Sequence, residues 1–176
     1  KSYVAKNFGY PVFNADLEVS KLYKTDRKIF IRLKKQLPKY IFSFPINKDE
    51  ISKAILANKF NLNKIVKIVH MEVRKKMNFF LRKNKNKKII ILDIPLLMEN
   101  KINKKKDILV FVESKKSDIL KRLKKRDNFN SKLFNRFQNL QLSPSYKKKK
   151  SNFIIKNDFR KKTIKIAIRY ILKKII

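Results

Sequence analysis

Residues 88–100 read K-I-I-I-L-D-I-P-L-L-M-E-N, and the reading of this stretch decides the fold. Ile89, Ile90, Ile91 and Leu92 form an apolar run that ends in Asp93. The run is too short for a helix and rich in β-branched side chains, so it predicts a strand buried on both faces. Asp93 then stands at the strand's carboxyl end, the place outside which open α/β sheets bind their ligands. An acid there can hold a metal ion over bound phosphates, or it can cap the following turn. Pro95 stops the strand, and Leu96, Leu97 and Met98 make an apolar ledge before Glu99.

Downstream, residues 107–112 (D-I-L-V-F-V) predict a second buried strand. Ser114 or Ser117 can cap the helix that carries Ile119, Leu120 and Leu123. Another helix spans residues 133–142 and breaks at Ser143-Pro144; a basic run, a short strand at 152–156 and a closing amphipathic helix at 160–175 follow. Upstream, Val4 and Phe8 share a helix face and Gly9 supplies its stop. A short extended run at 10–13 leads through Asn14-Ala15-Asp16 into a helix at 17–23. Between residues 26 and 83 the pattern is helical: Ile29, Phe30, Leu33 and Leu37 line one face, and two more helices cover 49–57 and 62–81. Strands alternating with helices predict an α/β protein with a mostly parallel sheet flanked by helices. Three successive helices between two strands suggest an inserted helical domain that closes over a substrate.

The totals narrow the class. The chain has 176 residues, enough for one α/β domain with an insertion. It has no cysteine and one histidine, which makes a protein-only zinc cage a poor expectation. No signal-peptide pattern and no run of eighteen or more apolar residues is visible, so a cytoplasmic protein without a membrane partner is expected. The formal charge of +35 points to nucleic acid at first sight. Its carriers are mostly lysines spread along the chain, which fits a solvated coat better than a dedicated RNA surface. The chain starts at Lys1 and holds one glycine, whereas a phosphate loop needs several. The stretch is therefore expected to be cut at its amino end, and the activity to need residues it does not contain.

Besides Asp93, four groups have a chemical reading. Lys1-Ser2, opening a helix ahead of a strand that ends in an acid, is what remains of G-x-x-x-x-G-K-[ST] without its front. Lys1 then reaches the β- and γ-phosphates and Ser2 ligates magnesium. Asp16 is placed to orient or deprotonate an attacking hydroxyl, or to be the N-cap of its helix. Arg126, after a helix end, can stabilise charge on a transferred phosphoryl group or complement the helix dipole. His70 with Arg74 one turn later can face a polar substrate.

Together these residues resemble the dephospho-coenzyme A kinase family. Lys1-Ser2 looks like the end of its Walker A loop, and Asn14-Ala15-Asp16 resembles its D-A-D, with Asn14 in place of the first acid. Residues 55–74 are similar to its helical segment ending in H-P-x-x-R, with Met71 in place of the proline. Residues 93–99 resemble its D-x-P-L-L-F-E signature, the most specific likeness. Residues 123–127 look like its lid motif, and Gln141 with residues 152–157 is similar to its tail.

The resemblance implies a P-loop NTPase-like core at 1–25 and 86–176, with a lid at about 114–145, and a helical acceptor domain at 26–85. It implies transfer of the ATP γ-phosphoryl group to the 3′-hydroxyl of dephospho-coenzyme A with Mg²⁺. Asp16 inherits the base role, Lys1 and Ser2 the phosphate and metal roles, and Arg126 the lid contact. Asp93 takes a metal role as well. His70, Arg74, Asp93, Pro95, Leu96, Leu97 and Glu99 border the acceptor, and Asn157 lies near the adenine of ATP. A monomer or weak homo-oligomer without a specific nucleic-acid partner is expected. The alternatives are another small P-loop nucleotide kinase and a non-enzymatic basic RNA-binding protein.

Overall fold

A computed structural model of the chain describes residues 8–126 and 129–176. Lys1, Ser2 and the helix expected around Val4 lie outside the described residues. Among the described residues there are four strands and eight helices, all strand pairings being parallel. They fall into two compact units, one spanning Pro11–Pro95 and the other residues 8–10 with Leu96–Ile176.

The first unit holds β1 (Val12–Asn14), α1 (Ala15–Thr25), α2 (Arg27–Gln36), α3 (Lys48–Ala57), α4 (Lys59–Lys83) and β2 (Ile91–Asp93). Each of its four helices starts on an Asn or Asp side chain: Asn14, Asp26, Asn47 and Asn58 accept backbone N–H bonds from the first turns. Such a cap stabilises a helix by about 1 kcal/mol over alanine. The 25-residue α4 buries Leu62, Ile65, Ile68, Val69, Val73 and Met77, one stripe of an amphipathic helix. Facing elements contribute Leu22, Ile29, Leu33 and Ile41, each no more than 1% exposed. The stripe Ile29, Leu33, Leu37 is the one the periodicity predicts. Phe13 of β1 meets Phe80 of α4 with ring centroids 5.6 Å apart. β1 and β2 pair in the register Val12↔Ile91, Phe13↔Leu92 and Asn14↔Asp93. The second strand is shorter than the apolar run suggests, and all three of its residues are half-buried rather than sealed on both faces.

The second unit holds β3 (Val110–Glu113), α5 (Lys116–Lys124), α6 (Ser131–Gln138), α7 (Pro144–Lys149), β4 (Phe153–Lys156) and α8 (Lys161–Ile175). Ile155, Ile164 and Ile171 form its core, with Val112, Phe153, Ala167, Ile168 and Ile175 packed against them. Gly9 has φ 79°, the left-handed geometry glycine adopts without the steric cost a side chain incurs.

Three local expectations change. β3 begins at Val110, so Asp107 and Ile108 precede the strand, and Val110 is 39% exposed. Neither Ser114 nor Ser117 caps α5: Lys115 stands at the cap without a side-chain bond, because the Ser114 hydroxyl accepts from Asn157 Nδ2 at 2.9 Å. Ser143-Pro144 opens a helix instead of only ending one, since Ser143 Oγ accepts the Tyr146 N–H and Pro144 sits at a first-turn position that needs no donor.

Candidate active site

In parallel sheets the functional edge is the carboxyl end, and here each strand pair closes that end with a side-chain hydrogen bond. In the first unit Asn14 Nδ2 donates to Asp93 Oδ2 at 3.0 Å, and in the second Asn157 Nδ2 donates to Ser114 Oγ at 2.9 Å. Asn14 does a second task. Its Oδ1 accepts the Leu17 N–H at 2.9 Å, which makes Asn14 the N-cap of α1.

That assignment removes the capping reading of Asp16. It lies in the first turn of α1 and is not the cap, so capping does not account for an acid at this position. Asp16 stands at the surface, and its carboxyl lines a cleft of about 220 Å³ with Val19, Ser20, Tyr23, Lys48, Ile51 and Ser52. Partial withdrawal from water, and then the neighbouring Asp93 charge, raise its pKa above the ordinary 3.8. Burial pushes the Tyr23 phenol up to about 12, so it stays neutral beside Asp16. Ser20, Tyr23, Lys48 and Ser52 were not singled out by sequence reasoning; nothing in their local pattern signals a shared wall, because α1 and α3 meet only in the folded unit.

The remaining predicted residues divide between the units. His70 and Arg74 lie one turn apart on α4, His70 half-buried and Arg74 exposed. Pro95 closes the first unit. Leu96, Leu97 and Glu99 form a turn-rich loop in the second unit, all half-buried. Arg126 is exposed just beyond α5. Asn157 is 8% exposed; its Oδ1 accepts the Phe159 N–H at 3.0 Å while its Nδ2 holds Ser114. Glu99 accepts from Lys147 Nζ at 2.6 Å and from the Leu142 N–H at 2.9 Å. Burial opposes its ionisation, but these bonds and the Lys147 charge outweigh burial and hold its carboxyl below the usual range. A larger groove of about 830 Å³ between β4 and α8 contains none of the predicted site residues.

As a metal site the rim is spare. Among the described residues no group of three or more His, Cys, Asp or Glu side chains could hold a metal ion. Asp93 and Asp16 supply hard oxygens, the donor type magnesium takes when nucleotide phosphates and water complete its shell.

In the first unit a parallel strand pair whose strands are linked through four helices carries Asp93 at its carboxyl end, an arrangement that fits an α/β protein of the P-loop kinase class. The dephospho-CoA kinase family profile matches residues 1–162, and the chain belongs to that family. The dephospho-CoA kinase of Wolbachia pipientis wMel is 34% identical over 169 residues, 93% of this chain and 86% of that protein. The Rickettsia bellii dephospho-CoA kinase is 32% identical over 147 residues, 84% of this chain and 75% of its own. Two solved structures share the fold over 99% of this chain and 89% of theirs: TT1252 from Thermus thermophilus, with TM-score 0.74 at 17% identity, and dephospho-CoA kinase from Campylobacter jejuni, with TM-score 0.63 at 19% identity.

Proposed function

We propose that the protein transfers the γ-phosphoryl group of ATP to the 3′-hydroxyl of dephospho-CoA. ATP use and the acceptor follow from family membership; the assignment of steps to residues is the proposal. Asp16 accepts the proton of the 3′-hydroxyl as its oxygen bonds to the γ-phosphorus. The bond from that phosphorus to the bridging oxygen breaks, and ADP leaves. Its raised pKa brings Asp16 closer to the range of an effective base. Asp93, held by Asn14, and Ser2 are the residues that would hold Mg²⁺, which when bound neutralises charge on the β- and γ-oxygens. Lys1 contacts the same phosphates and Arg126 the transferred group. His70, Arg74, Pro95, Leu96 and Leu97 border the acceptor. Asn157 serves the adenine side by ordering the 157–160 turn, because both ends of its amide are engaged.

In domain terms, residues 1–25 and 86–176 form the catalytic core with a lid at about 114–145, and residues 26–85 take the acceptor. The enzyme works in the cytoplasm as a monomer or weak homo-oligomer; no described helix is long and apolar enough to cross a membrane.

The observation that carries this reading is the register Asn14↔Asp93, which sets Asp16 beside Asp93 while Asn14 takes over capping. Nothing in the fold or the comparisons favours a nucleoside monophosphate kinase or an RNA-binding protein. Incubation of the protein with ATP, Mg²⁺ and dephospho-CoA is expected to yield coenzyme A and ADP in equal amounts. Transfer to nucleoside monophosphates alone would overturn the assignment.

A further inference from the structure

The loop after Pro95 leaves ordinary backbone space twice. Leu96 at φ 56° and Lys101 at φ 50° are both left-handed, although neither is glycine. Non-glycine residues persist there only when their surroundings over-determine them. From within, the Asn100 N–H and Nδ2 both donate to the Leu96 carbonyl, at 3.0 and 2.9 Å, and the Ile102 N–H donates to the Leu97 carbonyl at 3.1 Å. From outside, Glu99 is the clamp, through the Leu142 N–H and the Lys147 ammonium. This ion pair is enclosed, with side chains 11% and 18% exposed. In a chain with 48 Lys and Arg against 13 acids, enclosure sets Lys147 apart from the solvated coat around it. Its partner lies within the P-L-L-M-E motif, and the Leu142 amide lies where the chain returns from α6 toward α7.

We propose that Glu99 is a positioning residue that latches the strained 96–101 loop to segment 142–147, where the chain leaves the lid and enters α7. Its carboxylate faces a cation and an amide of its own unit rather than substrate. The loop and the lid's hinge are thereby set by one side chain, and loosening either partner loosens both. The inference rests on the proposed function only in naming 114–145 as the lid and the loop as the acceptor's border.

The test uses Glu99→Gln, Glu99→Ala, Lys147→Met and the Glu99→Gln/Lys147→Met double variant. Hydrogen exchange at the Leu142 amide is read beside the KM and kcat for both substrates. Glu99→Ala is expected to speed Leu142 exchange about tenfold or more. Glu99→Gln and Lys147→Met are each expected to raise the acceptor KM about tenfold with kcat within about threefold, and the double variant to be no worse than the worse single. If Glu99→Gln alone raised KM, or if the single effects multiplied in the double variant, Glu99 would touch substrate directly and the latch would be wrong. Unchanged Leu142 exchange in Glu99→Ala would also overturn it. Should the alanine variant not fold, the near-isosteric Gln and the Lys147→Met variant still decide through their coupling. Failure to phosphorylate dephospho-CoA would sink the proposed function instead, while amide exchange would still judge the latch.

Discussion

Asp16 and Asn14 divide the work at the start of α1 in a way that neither side chain's type dictates. Both residues are good N-caps in principle, and both stand at the junction of β1 and α1, Asn14 ending the strand and Asp16 in the first turn of the helix. Asn14 takes the cap with its oxygen and keeps its nitrogen for Asp93, a combination that a carboxylate at position 14 lacks. Asp16 is left facing the cleft with a raised pKa, caused first by withdrawal from water and then by Asp93. The sign of its linkage follows. The folded protein holds the Asp16 proton more tightly than the unfolded chain, so stability falls as pH rises from the unfolded value through the folded pKa, and the deficit persists at neutral pH. Asp16→Asn is therefore expected to raise Tm at pH 7, with the gain shrinking as pH drops toward the ordinary 3.8. The same variant is expected to lose turnover by roughly 10²-fold or more with little change in ATP affinity. A variant that is less stable at pH 7 and nearly as active would make Asp16 a structural residue.

At the scale of elements, the first unit depends on how α3 holds the irregular segment before it. Glu50 is buried in the first turn of α3, only 5% exposed, and accepts the Phe42 N–H at 3.1 Å, the Ser43 N–H at 3.4 Å and the Ser43 hydroxyl. That segment anchors Ile41 and Ile46 in the core, so the carboxylate organises backbone that has no ladder of its own. Glu50→Ala takes the acceptor away from these part-buried donors and is expected to lower stability by roughly 1–3 kcal/mol, measured by urea unfolding. A change under about 0.5 kcal/mol would mean that water replaces the carboxylate. The sequence shows the apolar residues of 40–46 without the alternation that makes a strand legible, and Glu50 reads there as one more charged residue on a helix. Its partners lie seven and eight positions back, in the irregular segment before its own helix.

Across the whole molecule, cations outnumber acids so heavily that charge alone says little about specificity. The coat is mostly lysine on exposed helix faces, as on α5, α7 and α8, whose last turns are basic. Such a surface binds polyanions by counterion release, without reading their sequence. Affinity for mixed-sequence RNA is expected to fall by roughly 10³-fold or more between about 50 and 200 mM salt, measured by fluorescence anisotropy. Tight, sequence-dependent binding that survives the higher salt would point to a dedicated RNA site. Attraction of anionic nucleotides toward the protein is the benign side of the same field.

The amino-acid sequence by itself determined the elements with local causes. The stripe Ile29, Leu33, Leu37, the strand expected at 152–156 and found at 153–156, and the closing helix are all written in spacings of three or four residues or in short β-branched runs. It also placed Asp93 at the end of its strand and singled out Asp16, Lys1 and Arg126 as candidates for phosphoryl chemistry. Only the tertiary structure decided which Asx residue caps α1, which hydroxyl between β3 and α5 Asn157 bonds, and that Glu99 faces Lys147 and Leu142. Those pairings span 79 residues for Asn14 with Asp93 and 43 for both Asn157 with Ser114 and Leu142 with Glu99. A side chain's periodicity reports which face of its own element it occupies, whereas its distant partner is set by how separate elements pack, and no local spacing encodes that.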